Sequence, residues 1–325
     1  MIRFGILEDN YNGFWGALDT AHRYISHVGY GLTKLGHDVT WYPESNRIQL
    51  PDPLKVRPRS EFSLGDVDII LTTPERFTDL PKPTYIVYEA IEFTHKRPCI
   101  SAYFGPRAQG HLVPQYIPPK PIDIPFDDRK HRFFVATPTD DIYTHVHIFH
   151  EPIGNLRMTG FPYLITHNRN ISIQDIVKQS GNNKKVNRYI QMLYMAHNNY
   201  FHTYIDWREH MFQLAACGIY CRYSWFSHKT AITEALAYGN AVVLTHTHST
   251  PYYDLDDVIL IEHSSDYDTF VKEQEDTISR VESTFRTILT DPYQSDRSEE
   301  LSQKYTARHS IEKVMGALEL INWEA

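Results

Sequence analysis

One stretch of this chain, Ser227-His-Lys-Thr-Ala-Ile-Thr-Glu-Ala-Leu-Ala-Tyr-Gly-Asn-Ala-Val-Val-Leu244, reads as loop, helix, tight turn and strand. A helix N-terminus presents unpaired backbone N–H groups and a partial positive charge, which suits a phosphate. Ser227, His228, Lys229 and the backbone near Thr230 stand where that phosphate would sit. Glu234 lies about one and a half turns further in, within reach of a sugar hydroxyl on the same ligand. The competing interpretation is a surface loop followed by an ordinary helix whose Glu faces solvent.

Other groups could also do chemistry. Gly13 and Gly16 lie in a loop after the first apolar run, where a missing Cβ permits close approach to a phosphate or sugar. Trp15 between them could stack on an acceptor or belong to the core. Glu89, Glu92 and His95 cluster at the end of a strand pattern, followed by Lys96 and Arg97. His145, His147 and His150, and again His246 and His248, alternate as zinc ligands on one strand face would. They lack Cys or Asp partners at matching spacing, so no metal is assigned. Cys99, Cys217 and Cys221 are too few and too odd in number for a disulfide framework, and are expected as small buried hydrophobes in a reducing compartment.

The elements that must position these groups follow from periodicity. Ile2–Leu7, Val39–Tyr42, Val67–Thr72, Thr84–Glu89 and 98–104 read as strands, and a helical pattern from Asp19 to Leu35 ends at Gly36. That helix has no single clean apolar stripe, so burial on more than one side is expected. Val113 to Pro125 is rich in proline and reads as a linker. Sheet pattern resumes at 131–136, 219–225, 241–245 and 258–262, with helices over 187–216, 266–289, 299–305 and 310–321. Residues 138–175 are expected to be largely loop. Apolar, β-branched strands alternating with helices predict α/β units with parallel sheets covered on both faces.

The chain has 325 residues, 42% of them hydrophobic, and a formal net charge of −8. That charge alone speaks against nucleic acid. Its distribution is uneven, since residues 95–190 hold 13 Lys and Arg against seven Asp and Glu. Clusters at Arg97, at Arg129, Lys130 and Arg132, and at Lys184, Lys185 and Arg188 read either as a solvated face or as a polyanion groove. No apolar run approaches membrane-spanning length, and Met1-Ile-Arg-Phe-Gly-Ile-Leu is unlike a signal peptide, so a cytoplasmic location without membrane insertion is expected.

Three stretches resemble GT-B glycosyltransferases of the retaining nucleotide-sugar type. NGFWGALDTAHRYISHVGYGLTKLGHDVTWY is similar to that family's glycine loop and first helix. IYCRYSWFSHKTAITEALAYGNAVVLT is similar to its donor-binding segment, and SEELSQKYTARHSIEKVMGALELI to its closing helices. The resemblance implies two Rossmann-like domains facing a cleft: 1–120 on the acceptor side, 121–307 for the nucleotide sugar, and 308–325 crossing back to the first. It implies a nucleotide-sugar co-substrate, a UDP-sugar first among them, with no tightly bound cofactor. Glu234 would hold the donor ribose, and Glu92, with Glu89 and His95 beside it, would orient or deprotonate the acceptor. Ser227 stands where the family has a second carboxylate, and His228 and Lys229 replace glycines. The family's Arg…Lys pair has no clear match, although Lys184, Lys185 or Arg188 could supply its charge. The run from Tyr85 to Arg97 is similar to phage enzymes of the T-even type that glycosylate hydroxymethylated cytosine, which makes double-stranded DNA the expected acceptor. The alternatives are a cell-surface or capsule saccharide acceptor, a nucleotide-sugar epimerase, and a non-catalytic sugar-nucleotide binder.

Overall fold

The apolar strands do assemble into parallel sheets, two of them, in a computed structural model that describes residues 1–8, 20–43, 54–73, 80, 82–91, 94–138, 142–165, 207–222, 229–245, 253–262 and 267–323. The chain divides into two compact units, one of Met1–Pro119 with Thr306–Ala325 and the other of Lys120–Tyr305.

The first unit is built on β1 (Arg3–Glu8), β2 (Asp38–Pro43), β3 (Lys55–Val56), β4 (Ile69–Thr72), β5 (Thr84–Ile91), β6 (Cys99–Phe104) and β7 (His111–Leu112). They lie in the order β3-β2-β1-β4-β5-β6-β7, every pairing parallel. The order reverses between β1 and β4, and in open α/β sheets ligands collect beyond the carboxyl ends of strands at such a switch. Helix α1 (Thr20–Lys34) packs Tyr24, Ile25, Val28 and Leu32 into a core with Ile6, Leu71, Val87 and Ile100.

The lack of one clean stripe on α1 has a structural cause, because the chain returns to cover a second side. The last helix of the chain, Ile311–Glu319, buries Val314 and Leu318 completely. Gly31 of α1 lies so close that a Cβ there would stand 2.7 Å from Leu318 and 2.8 Å from Val314. Beyond this helix, Trp323 meets Phe4 and Tyr85 edge-on at 4.9 and 4.8 Å. The proline-rich stretch runs beside the returning segment, where Ile117 N–H donates to the His309 carbonyl at 3.0 Å.

The second unit carries β8 (Arg132–Pro138), β9 (Thr159–Ile165), β10 (Ile219–Arg222), β11 (Ala241–Leu244) and β12 (Ile259–Leu260) in the parallel order β12-β11-β10-β8-β9. Its switch point lies between β8 and β10. Its helices are α2 (Phe126–Arg129), α3 (Ile142–Asn155), α4 (Trp207–Ala216), α5 (Lys229–Ala237), α6 (Tyr267–Thr290) and α7 (Gln294–Arg308), which makes the last helix of the chain α8.

The expected loop over 138–175 is corrected in its first part, which holds α3 and β9. Pro152 inside α3 and its β-branched and histidine residues mask the helical signal. Tertiary burial of Ile148, Phe149 and Ile153 against Val281 and Phe285 supplies what propensity does not. The zinc reading of His145 and His147 assumes a strand, and both residues belong instead to the helix α3. Among the described residues no group of His, Cys, Asp and Glu is arranged to hold a metal ion, and no helix is long and apolar enough to cross a membrane.

Candidate functional site

The carboxyl edge of the second sheet brings together the groups best suited to hold a ligand. All four residues of β10 are buried, and its last, Arg222, is only 3% exposed. The Arg222 guanidinium reaches the Tyr220 hydroxyl at 3.4 Å. Tyr253, which follows β11 in sequence, lies near both. Burial pushes its phenol up to about 12, and the Arg222 cation opposes that shift. Sequence reasoning missed Arg222 and Tyr253. A cation in the last position of an otherwise apolar strand was a signal that could have marked the first of them.

Helix α5 begins at Lys229, seven residues beyond the end of β10, and from Thr230 to Ala237 all its residues are buried. A helix enclosed on all sides has no use for charge unless the charge is partnered. Glu234, 0% exposed, therefore excludes the competing interpretation of a solvent-facing carboxylate. Its Oε2 lies 3.1 Å from Nε2 of His210 on α4, itself 2% exposed. Phe134 of β8 meets the His210 ring edge-on at 5.5 Å and stacks on Tyr220 at 5.7 Å.

The turn after α5 fixes where the helix points. Gly239 has φ +71, Gly239 N–H donates to the Leu236 carbonyl at 2.9 Å, and Asn240 N–H to Ala235 at 2.9 Å. Such a left-handed residue closes a helix at little cost when it is glycine. The Ser298 hydroxyl of α7 donates to the Gly239 carbonyl at 2.6 Å, tying the turn to a second helix.

Of the donor residues expected from sequence, Thr230 and Glu234 share one helix and Lys229 opens it. Ser227, His228, Gly13, Gly16 and Trp15 lie outside the described residues, as do Glu92, Lys184, Lys185, Arg188, His246 and His248. On the first unit, Glu89 is buried at 5% on β5, and its carbonyl accepts from the Ser101 hydroxyl at 2.9 Å. The Tyr24 hydroxyl donates to the Val113 carbonyl at 2.5 Å, and its pKa is raised by burial and then by the Glu89 carboxylate. His95 and Arg97 are half-buried in the segment between β5 and β6, and Arg97 donates to the Leu80 carbonyl at 3.1 Å.

The expected basic stripe at Arg129, Lys130 and Arg132 does not form. Arg129 is 1% exposed and turned inward, donating to the carbonyls of Ile124 at 3.0 Å, Tyr238 at 2.7 Å, Gly239 at 3.3 Å and Cys217. Burial lowers its pKa to about 10. Lys130 pairs with Asp127 at 2.9 Å. Arg132 is exposed, but it opens β8 and so lies at the amino edge of the parallel sheet, opposite the edge that carries Arg222. The three cysteines are free and buried, and burial raises their thiol pKa, to about 11 for Cys99 and about 12 for Cys217. None is suited to act as a thiolate at neutral pH.

No protein-family profile matches the chain, and no curated protein does. Solved structures do. A glycosyltransferase from Rickettsia africae ESF-5 is 9% identical, with 98% of this chain and 97% of that one covered at a TM-score of 0.54. Sucrose-phosphate synthase from Thermosynechococcus elongatus is 13% identical over 98% and 97% of the chains, at 0.55. The glycosyltransferase VinC in complex with DTDP is 10% identical over 97% and 98%, at 0.51. The fold is thus the two-unit α/β architecture of the GT-B glycosyltransferases.

Proposed function

We propose that this protein transfers a glycosyl group from a nucleoside-diphosphate sugar bound by its second unit. The observation that carries the reading is Glu234, a buried carboxylate on a helix that leads away from the switch-point strand of a parallel sheet. A carboxylate can accept from both hydroxyls of a ribose, and the N-terminus of the same helix suits the diphosphate. Arg222 at the sheet edge adds positive charge where the leaving diphosphate gains negative charge. The likeness to VinC, which was solved in complex with DTDP, supports a nucleoside diphosphate as ligand.

The test is calorimetric titration with UDP, TDP, GDP and ADP, followed by turnover of the matching sugar nucleotide with and without acceptor. One of the four should bind, UDP being our first expectation. Glu234→Ala should weaken it by roughly tenfold to hundredfold, the loss of a charge-assisted hydrogen bond of about 1.5–3 kcal/mol. Failure of all four to bind would overturn the reading. Conversion of the donor without any acceptor would instead mark an epimerase, and binding without turnover a non-catalytic binder. With Arg129 turned inward, the polyanion surface has lost one of its cations, so the acceptors tried should include saccharides as well as hydroxymethylated duplex DNA.

A further inference from the structure

We propose that His210 is a positioning residue for donor recognition, holding the Glu234 carboxylate in the orientation that meets the ribose. The inference rests on the reading of Glu234 above and adds to it a residue 24 positions earlier in the chain, on a different helix. Nε2 of His210 and Oε2 of Glu234 are 3.1 Å apart, with side chains 3% and 0% exposed. A carboxylate taken out of water needs a donor in compensation, and the imidazole N–H supplies one. It does so from a fixed place. The His210 ring is held edge-on to Phe134, which is itself stacked on Tyr220 of β10. The chain that leads into the site thus also braces the residue that aims Glu234.

A carboxylate has about four lone-pair positions over two oxygens, so the bond to Oε2 leaves it able to accept from a ligand. The bond to His210 restrains its rotation. A free side chain would have to be ordered on binding, and pre-ordering lowers that cost.

The experiment compares three substitutions that differ in where, and whether, they place a donor. In His210→Gln the side-chain amide reaches to about the place of Nε2; in His210→Asn it stops near Nδ1; His210→Met fills the space without a donor. Binding of the nucleoside diphosphate that the wild-type chain takes, UDP first, is measured by calorimetry, together with kcat and KM for its sugar conjugate. Asn and Met should weaken binding about tenfold or more and raise KM with kcat nearly unchanged, as the loss of uniform binding does. Gln should stay within about threefold of wild type, because it keeps the donor. The double variant Glu234→Ala with His210→Met should bind no more weakly than Glu234→Ala alone, as for two residues acting through one contact. If Glu234→Ala loses affinity while Asn and Met bind as wild type, the role of His210 is overturned and the donor reading stands. If Glu234→Ala itself binds as wild type, the donor reading of Glu234 fails and this inference with it. Should Asn fail to fold, Met and Gln still decide the question. Equal loss in both counts against a held hydrogen bond.

Discussion

Arg129 shows at the residue scale how a basic run can mislead. It is one of four consecutive basic residues, yet its guanidinium serves carbonyls just before α2, just after α4 and at the turn after α5. The carbonyls of Cys217, Tyr238 and Gly239 are buried, although Asn240 and Ser298 also donate to two of them, and an unsatisfied buried carbonyl costs about 1–3 kcal/mol. Arg129→Met should therefore lower unfolding free energy by about 1–3 kcal/mol, read as a fall in urea midpoint. Asp68 is a milder case. Its hydrogen bonds from the Arg3 side chain and backbone hold its pKa down to about 2. A carboxylate depressed on folding stabilises the chain above its unfolded pKa, and that contribution is lost as pH falls toward 2. The pair is half-exposed, so solvent screens it and its contribution is small. Urea midpoints at pH 5 and pH 2.5 should differ less in Asp68→Asn than in wild type. Glu92, proposed as the acceptor base, should separate chemistry from binding. Glu92→Gln should cut turnover on the order of a hundredfold or more, while nucleotide affinity moves less than about threefold.

At the scale of elements, two helix-ending glycines make opposite predictions from the same backbone geometry. Gly36 after α1 has φ +84 with nothing within 4 Å of a built Cβ. Gly36→Ala should cost only the left-handed strain, about 1–2 kcal/mol. Gly239 after α5 has φ +71, and its Cβ would stand 2.5 Å from the Ser298 carbonyl oxygen. Backbone on both sides cannot yield as a flexible side chain would. Gly239→Ala should cost clearly more than Gly36→Ala in thermal or urea unfolding, and should weaken nucleotide binding by shifting α5. Equal effects at the two positions would mean that the turn after α5 relaxes freely. The helices and strands themselves were legible where their periodicity was clean, as in α6 and in β1, β2, β4, β5 and β6, but not in the two-residue β3 and β7. They were not legible in α3, whose burial comes from α6, more than a hundred residues later in the chain.

The whole molecule joins its ends. Residues from 306 onward belong with the first unit, and Val314, Leu318, Ile321 and Trp323 complete its core. Burying such side chains contributes about 1.5–3 kcal/mol each, an amount comparable with the net stability of a whole domain. A chain truncated after His309 should consequently lose the first unit's fold. Limited proteolysis should then leave a protected fragment near residues 120–305, whereas the full chain resists cleavage in both units. Protection of the first unit in the truncated chain would show that α8 is dispensable.

Local pattern determined much about this protein. Runs of buried, β-branched residues specify strands that need cover on both faces, and the spacing of Glu234, Gly239 and the apolar run after them specifies helix, turn and strand. Each residue in such an element meets an environment that repeats with the element's own period, so the period is written in the chain. Partners are not written that way. That His210 meets Glu234, that Arg129 turns inward, and that α8 covers α1 all follow from which elements become neighbours. Strand order and burial decide this, and only the assembled tertiary structure contains them.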